Sequence, residues 1–354
     1  MRILTVVGAR PQFIKSGPVS RAFDSKGVDE CVVHTGQHYD PNMSDVFFHS
    51  LGLRRPDFQL NVGSGTHATQ TGAMLSEIEA ILLDVRPDAL LVYGDTNSTL
   101  AGALAAAKLH TPVVHVEAGL RSFNRTMPEE INRVVTDHLS DLLFCPTTTA
   151  VDHLHSEGIT RGVYMVGDVM KDALDYWQAR RDEIGTSSDA CDFELGEYFL
   201  ATVHRAENVD IPARLDGIVD ALGRLNLPVV LPLHPRTRKA LLDRNKSLPE
   251  QVVAIDPVGY LEMLDYQSGA RAVLTDSGGV QKEAYMLGVR CITLRDETEW
   301  VETVASGWNS LVGADPDAIV RAAAAAAPRG DRPNLFGDGH ASDRIADTVI
   351  SSLS

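Results

Sequence analysis

The sequence predicts an α/β protein of two doubly wound domains, each a parallel sheet covered by helices on both faces, with a ligand cleft between them. Three observations lead there. Short apolar runs alternate with helical stretches along the whole chain, first RILTVV, CVVHT, ALLVY, VVHVE, LLFC and VYMVG, then YFLATV, PVVLPL, VVAI, AVLT and CITL. Strands this continuously apolar are buried on both faces, which is the habit of parallel rather than antiparallel sheets. Finally, 354 residues exceed one ordinary domain, and a polar stretch at 185–196 that includes GTSSD separates the two series.

Taken in order, RILTVV leads through GARPQ to a helix from about Phe13, and CVVHT is followed by a short helical stretch near SDVFF. A long amphipathic helix is expected over 68–85. ALLVY at 89–93 precedes the helix LAGALAAAKL, and VVHVE at 113–117 precedes a helix opening near Pro128. In the second half, helices are expected over 214–225, from about Arg236 and after Asp276. The alanine run at 322–327 reads as ordinary helix, and a last helix over 341–353 follows the glycine-rich FGDGHAS.

Composition narrows the class. With 44% hydrophobic and 23% charged residues the chain is that of a soluble globular protein. A net charge of −16 excludes a general nucleic-acid surface, because phosphate backbones demand clustered Lys and Arg. Cys31, Cys145, Cys191 and Cys291 form no C-x-x-C pair and are expected as buried thiols in a reducing cytosol. No segment reads as a signal peptide or a membrane span, so a soluble cytoplasmic enzyme is expected, with no membrane partner.

Residues 114–133, VHVEAGLRSFNRTMPEEINR, are the most informative stretch. A strand ending in Glu117, a loop, and a helix opening with Glu129 and Glu130 place carboxylates at one strand's C-terminal edge, where open α/β sheets bind ligands. With Asp95 from the preceding strand end, Glu117 and Glu129 form a candidate acid/base cluster acting on a sugar carbon. Plainer explanations compete. Thr126 and Glu129 fit a capping box, T-x-x-E, and first-turn acids favour the helix dipole. Asp95 could cap the helix after YGDT. Glu117 is costly directly after VVHV unless paired or used, and Arg121 and Arg133 are candidate structural partners.

An anionic substrate must be met by local cations, of which Arg10, Lys15, His204, Arg205, His234, Arg236 and Arg238 are the candidates. Arg238 is expected only to balance neighbouring acids. The first turn, VVGARPQ, lacks G-x-G-x-x-G, no Walker A pattern occurs, and no H-E-x-x-H or paired Cys/His spacing exists, so neither a dinucleotide cofactor nor a metal is expected. LTDSGGVQKE at 274–283 ends a buried strand in small residues and opens a helix. Backbone N–H groups of Ser277, Gly278 and Gly279 there are expected to bind an anion, and Glu283 to accept from ribose hydroxyls. His204, in ATVHRAEN, shares that edge.

Together GARPQFIK, YGDTNST, HVEAGLRSFNRTMPEEINR, HRAEN and LTDSGGVQKEA resemble the non-hydrolysing UDP-N-acetylglucosamine 2-epimerases over nearly the whole chain. That resemblance implies two Rossmann-like domains in the GT-B arrangement, UDP in the cleft, no redox cofactor and a homodimer. It implies a first domain over 1–170 with the helix 340–354 returned to it, and a second, UDP-binding domain over 171–339. The family's reaction interconverts UDP-GlcNAc and UDP-ManNAc through loss of UDP to a 2-acetamidoglucal and its return. Carried onto this chain, Asp95, Glu117, Glu129 and His204 are the expected catalytic residues. Arg10, Lys15, His234, Arg236, Tyr260, Ser277, Gly278, Gly279 and Glu283 are the expected substrate contacts.

Departures matter. Where better-known bacterial members read T-E-R-P-E, this chain has Thr298, Glu299, Trp300, Val301 and Glu302, and their Q-H-R-E-M segment is Gln37, His38, Tyr39, Asp40 and Pro41. Activation by a second substrate molecule is therefore not expected. The pairing of GARPQFIK with TEWVE is more similar to members acting on UDP-2,3-diacetamido-2,3-dideoxyglucuronic acid in surface-polysaccharide pathways, which is the alternative substrate. A GT-B glycosyltransferase, a hydrolysing epimerase and a non-catalytic nucleotide-sugar sensor are the competing functions.

Overall fold

A computed structural model describes residues 1–37, 53–184, 193–326, 328 and 331–353, and the chain divides into two compact units, Met1–Ala179 with Asn334–Ser354, and Arg180–Pro333. The expected helix near SDVFF, His38 to Pro41, Cys191 and most of the polar junction lie outside the described residues.

In the first unit, β1 (Arg2–Val7), β2 (Asp29–His34), β3 (Phe58–Gln59), β4 (Ala89–Tyr93), β5 (Val113–Val116), β6 (Leu142–Cys145) and β7 (Val163–Met165) form one sheet in the order β3-β2-β1-β4-β5-β6-β7. Every pairing is parallel. The central strand β4 is buried along its whole length, as its unbroken ALLVY requires. The helix Asn97–Lys108 lies close over it because its inward face is Ala and Gly, and a Cβ at Gly102 would already stand 3.1 Å from Val92.

The helix Ala341–Leu353 belongs to this unit although the second unit's chain precedes it. Ile345, Ala346 and Val349 are fully buried, and the helix packs on Arg10–Ser25. Its start is held by Asp172, which accepts from the amides of Ala341 and Ser342 at 3.2 and 2.7 Å and from the Ser342 hydroxyl at 2.6 Å. Two orphan helix amides are thereby satisfied from outside the helix.

In the second unit, β8 (Phe199–Thr202), β9 (Val229–Pro232), β10 (Val252–Ile255), β11 (Ala272–Thr275), β12 (Cys291–Thr293) and β13 (Asn309–Leu311) form a parallel sheet in the order β10-β9-β8-β11-β12-β13. Two expectations need correction. The first helix opens at Arg10 rather than Phe13, because Pro11 is well placed in a first turn. Of the alanine run, the helix takes in the residues up to Ala324. Pro316–Ala324 ends where Arg290 takes the carbonyls of Ala322 and Ala325 at 2.8 and 2.5 Å, and Ala325 is extended.

Candidate active site

Each sheet reverses its winding once, between β1 and β4 and between β8 and β11. Ligands of open α/β sheets bind beyond the strand C-termini at such points. The residues picked out in the sequence sit mostly on the four turns that follow these strands and on the loop after β5.

In the first unit, Gln12 joins the two turns. Its carbonyl accepts from the amides of Gly8 and Ala9 at 2.7 and 3.2 Å, while its Nε2 donates to the Tyr93 carbonyl at 2.7 Å and the Thr99 hydroxyl at 3.0 Å. Gly94 follows with φ +63°, and a Cβ there would stand 3.2 Å from a Glu117 carboxylate oxygen and 3.8 Å from the Lys15 ammonium. Lys15 and Glu117 form a direct ion pair, largely buried. Glu117 itself has φ +71°, a left-handed conformation that costs a non-glycine residue about 1–2 kcal/mol. The turn is held because the amides of Glu117 and Ala118 both donate to the Phe144 carbonyl, at 3.0 and 3.1 Å. A strained, buried acid at a strand terminus is characteristic of functional positions.

Asp95 does not cap the following helix. Thr96 does, and the Asp95 carboxylate, about a third exposed, pairs with Arg133 instead. Arg133 also reaches Glu130 at 2.9 Å, and Arg121 serves Asp137 and Glu157. The capping box is likewise absent. Met127 is the N-cap without a side-chain bond, and the Thr126 hydroxyl donates to Asn124 at 2.6 Å. The two adjacent acids then part company. Glu130 is buried and accepts from the Ser122 and Phe123 amides, each at 2.9 Å, whereas Glu129 is exposed. Glu130 therefore shapes the loop and Glu129 is available.

In the second unit, Asp276 at the end of β11 is fully buried and organises the edge. It accepts from His204 Nδ1 at 3.1 Å and from the amides of His204 and Arg205, each at 3.0 Å. Burial alone would raise the carboxyl, but these donors outweigh it and hold Asp276 below the usual carboxylate range. An ionised Asp276 on Nδ1 fixes that nitrogen as the proton carrier and leaves Nε2 for other partners. His234 lies with its ring centroid 5.5 Å from His204 and caps the helix Pro235–Asp243 through a 3.2 Å bond from the Arg236 amide. Its imidazole is pushed down by burial and then by neighbouring His204. The Arg236 side chain pairs with Asp210 and Arg238 with Asp256, both at the surface.

Fewer amides stay open at the turn after β11 than expected from the sequence. The Ser277 amide donates to the Thr275 hydroxyl at 2.9 Å, and the Ser277 hydroxyl accepts from Val280 at 3.5 Å, which leaves Gly278 and Gly279 as the first two helical N–H groups. Neither glycine has a positive φ, and a Cβ would meet nothing closer than 3.7 Å at Gly278 or 3.9 Å at Gly279. Protein packing does not require glycine here, and the two amides open onto unfilled space. Glu283, one turn on and buried, accepts from Gln267 at 2.9 Å. Tyr260 is half-buried at the start of the helix Tyr260–Gly269, and Arg10 is half-buried at the start of Arg10–Ser25.

Among proteins of known sequence, a family model described as UDP-N-acetylglucosamine 2-epimerase matches residues 21–350. The chain is 53% identical to the UDP-2,3-diacetamido-2,3-dideoxy-D-glucuronate 2-epimerase of Pseudomonas aeruginosa, with 98% of this chain and 99% of the relative covered. The chain belongs to the UDP-N-acetylglucosamine 2-epimerase family. It is accordingly an epimerase, an isomerase by class. A UDP-N-acetylglucosamine 2-epimerase homolog of Methanococcus maripaludis is 50% identical, covering 99% of each chain. The crystal structure of the Methanocaldococcus jannaschii UDP-GlcNAc 2-epimerase in complex with UDP-GlcNAc and UDP superposes with a TM-score of 0.91 at 44% identity, over 99% of this chain and 100% of the other.

For this member of the UDP-N-acetylglucosamine 2-epimerase family, sequence reasoning missed four residues that hold the candidate site: Gln12, His115, Asp137 and Asp276. Asp276 had a visible signal, since LTD repeats the strand-then-acid pattern of YGD. His115 sits in the middle of an otherwise apolar strand, which was its only mark. Gln12 and Asp137 carry no local pattern. Among the described residues no group of three or more His, Cys, Asp or Glu is placed to hold a metal ion, and no helix is long and apolar enough to cross a membrane.

Proposed function

We propose that this epimerase inverts C2 of a UDP-2-acetamido sugar, UDP-GlcNAc to UDP-ManNAc and back, through loss and return of UDP. The observation that carries the reading is Glu117, a buried, left-handed acid at a strand end, ion-paired with Lys15 and close to the Gly94 turn that leads to Asp95. A ring hydrogen beside an acetamido group is barely acidic, so a carboxylate alone does not remove it. If the C1–O bond breaks first, UDP leaves with the bonding electrons and the developing oxocarbenium ion acidifies that hydrogen. A carboxylate then takes the C2 proton and a 2-acetamidoglucal forms. Return of a proton to the opposite face and of UDP to C1 completes the inversion.

In this reading Asp95, Glu117 and Glu129 handle the ring proton. Departure of the diphosphate is assisted by the Gly278 and Gly279 amides, the Ser277 hydroxyl and His204, whose Nε2 is made a donor when the ring is protonated against Asp276. Arg10 and Lys15 add positive charge, Glu283 takes ribose hydroxyls, and His234, Arg236 and Tyr260 are further substrate contacts. The working form is a cytoplasmic homodimer, to be checked by sedimentation.

UDP-2,3-diacetamido-2,3-dideoxyglucuronate is the second reading, favoured by the 53% identical relative that bears its name. Incubating the enzyme with each UDP-sugar in D2O and following C2 by NMR tests both. Deuterium in recovered substrate together with the C2 epimer supports the mechanism, and the substrate that exchanges faster is the one to assign. Free UDP with a free sugar as the sole products would mark a hydrolase, and no exchange with any UDP-sugar would sink the proposal.

A further inference from the structure

His115 lies on β5, fully buried, two residues before Glu117. Its Nδ1 stands 2.7 Å from Asp137 Oδ1 and its Nε2 stands 2.7 Å from the carbonyl oxygen of Gly94. A carbonyl oxygen only accepts, so Nε2 carries a proton. Asp137 Oδ2 receives the Arg121 guanidinium at 2.7 Å and the Gly119 amide at 3.2 Å, and Arg121 in turn grips Glu157 through two 2.7 Å bonds. These groups converge on one buried carboxylate, and together with His115 they outweigh its burial and hold Asp137 below the usual carboxylate range. The ring thus links the Gly94 carbonyl to a buried chain of polar groups: His115, Asp137, Arg121, Glu157.

The two acceptors are not arbitrary. Gly94 immediately precedes Asp95, and Asp137 braces Gly119 and Arg121 in the loop that begins with Glu117. We propose that His115 is a positioning residue that ties the turn presenting Asp95 to the loop presenting Glu117, and so sets the spacing of these two carboxylates at the reacting sugar. The proposal rests on the acid assignment made under Proposed function. The charged groups around the ring are Asp137, then Arg121 and Glu157 behind it, with Glu117 two residues along the strand. His115 is held away from substrate by both of its bonds, so its effect is on the geometry of proton transfer and not on binding of the nucleotide.

The test uses the intact protein labelled with 15N-histidine. The Nε2–H of His115, donated to the buried Gly94 carbonyl, should give a hydrogen-bonded 15N–1H signal that exchanges slowly with water. An Nε2 that carries no proton, or one whose proton exchanges as fast as that of an exposed imidazole, overturns the proposal, whatever the behaviour of any variant. His115→Gln should lower kcat about a hundredfold, the scale of a displaced reacting group, while KM for the UDP-sugar and the affinity for UDP stay unchanged. Unchanged kcat, or a loss confined to KM, overturns the positioning role. If that variant does not fold, the NMR measurement on the unaltered protein still decides. Glu117→Gln separates the two levels: full C2 exchange in that variant removes the acid assignment and the positioning role with it, whereas a His115 Nε2 that carries no proton removes only the latter.

Discussion

Asp137→Asn is the most demanding perturbation of the first unit, because it changes one atom and leaves the shape intact. Asp137 is 1% exposed and accepts from His115 at 2.7 Å, Arg121 at 2.7 Å and Gly119 at 3.2 Å. An asparagine keeps one acceptor oxygen and turns an NH2 towards a donor, so at least one charge-assisted bond is lost and a donor faces a donor. With such bonds at roughly 1.5–3 kcal/mol each, and removal of one partner of a buried pair at roughly 3–5 kcal/mol, the expected loss is about 3 kcal/mol. The lower end applies because the asparagine oxygen still accepts from one of these donors. The readout is the urea midpoint of the first unit's transition, followed by hydrogen exchange of its central strands, with an unchanged slope. The sign of the pH effect is fixed too. Burial raises Asp137, but His115 and Arg121 outweigh it and depress the folded-state value. Its stabilisation is therefore present above the unfolded carboxylate value of about 3.9 and lost as pH falls through the depressed folded value, and the variant should lack that acid-dependent component. A midpoint within about 0.5 kcal/mol of the parent at neutral pH would refute the account of this network, since that is the ordinary effect of a neutral surface change.

Three further outcomes are expected. Glu117→Gln and Asp95→Asn should each slow C2 deuterium exchange by about 10²–10⁴-fold, the usual worth of a general acid or base, with UDP affinity retained on calorimetry. Gly279→Ala should leave the melting temperature unchanged, since its Cβ meets nothing closer than 3.9 Å, yet weaken UDP binding by obstructing the cradle; equal UDP affinity would argue against an anion there. Glu30→Gln should raise stability at neutral pH: burial raises this carboxyl, the Thr5 hydroxyl donates to one oxygen at 2.6 Å, and the native group's contribution, present below about pH 4.5, fades as pH rises through the raised folded value. A melt that falls at pH 7 would contradict that sign.

How much was legible in the sequence follows from the range of the interactions involved. Apolar runs such as ALLVY and AVLT announce strands buried on two faces, and their alternation with helices specifies a parallel sheet without any distant information. The turns were legible for the same local reason, since Gly94, Asp95 and the SGG segment stand directly after strands. Partners were not. Whether Glu117 would meet Lys15, Arg121 or Arg133 depends on which helices flank β5, and Lys15 lies 102 residues away. The Ser277 amide was expected to be open to a ligand, but Thr275, two residues earlier, uses it, because a strand-end threonine turns its hydroxyl back onto the turn. The capping box failed when Met127 rather than Thr126 took the N-cap, a shift of one residue that leaves Glu129 outside the helix's own bonding.

The clasp between Asp172 and the start of Ala341–Leu353 bears on how the molecule is made. The chain leaves the first unit at Ala179 and rejoins it at Asn334, and the returning helix buries Ile345, Ala346 and Val349 completely. At a synthesis rate of roughly 5–20 residues per second, the partner surface on Arg10–Ser25 waits on the order of ten seconds or more uncovered while the intervening unit is produced. During that interval an apolar stripe is available to chaperones or to other nascent chains, and a premature stop before residue 341 leaves it bare for good. Quality control thus has a direct physical handle on whether translation ran to the final helix.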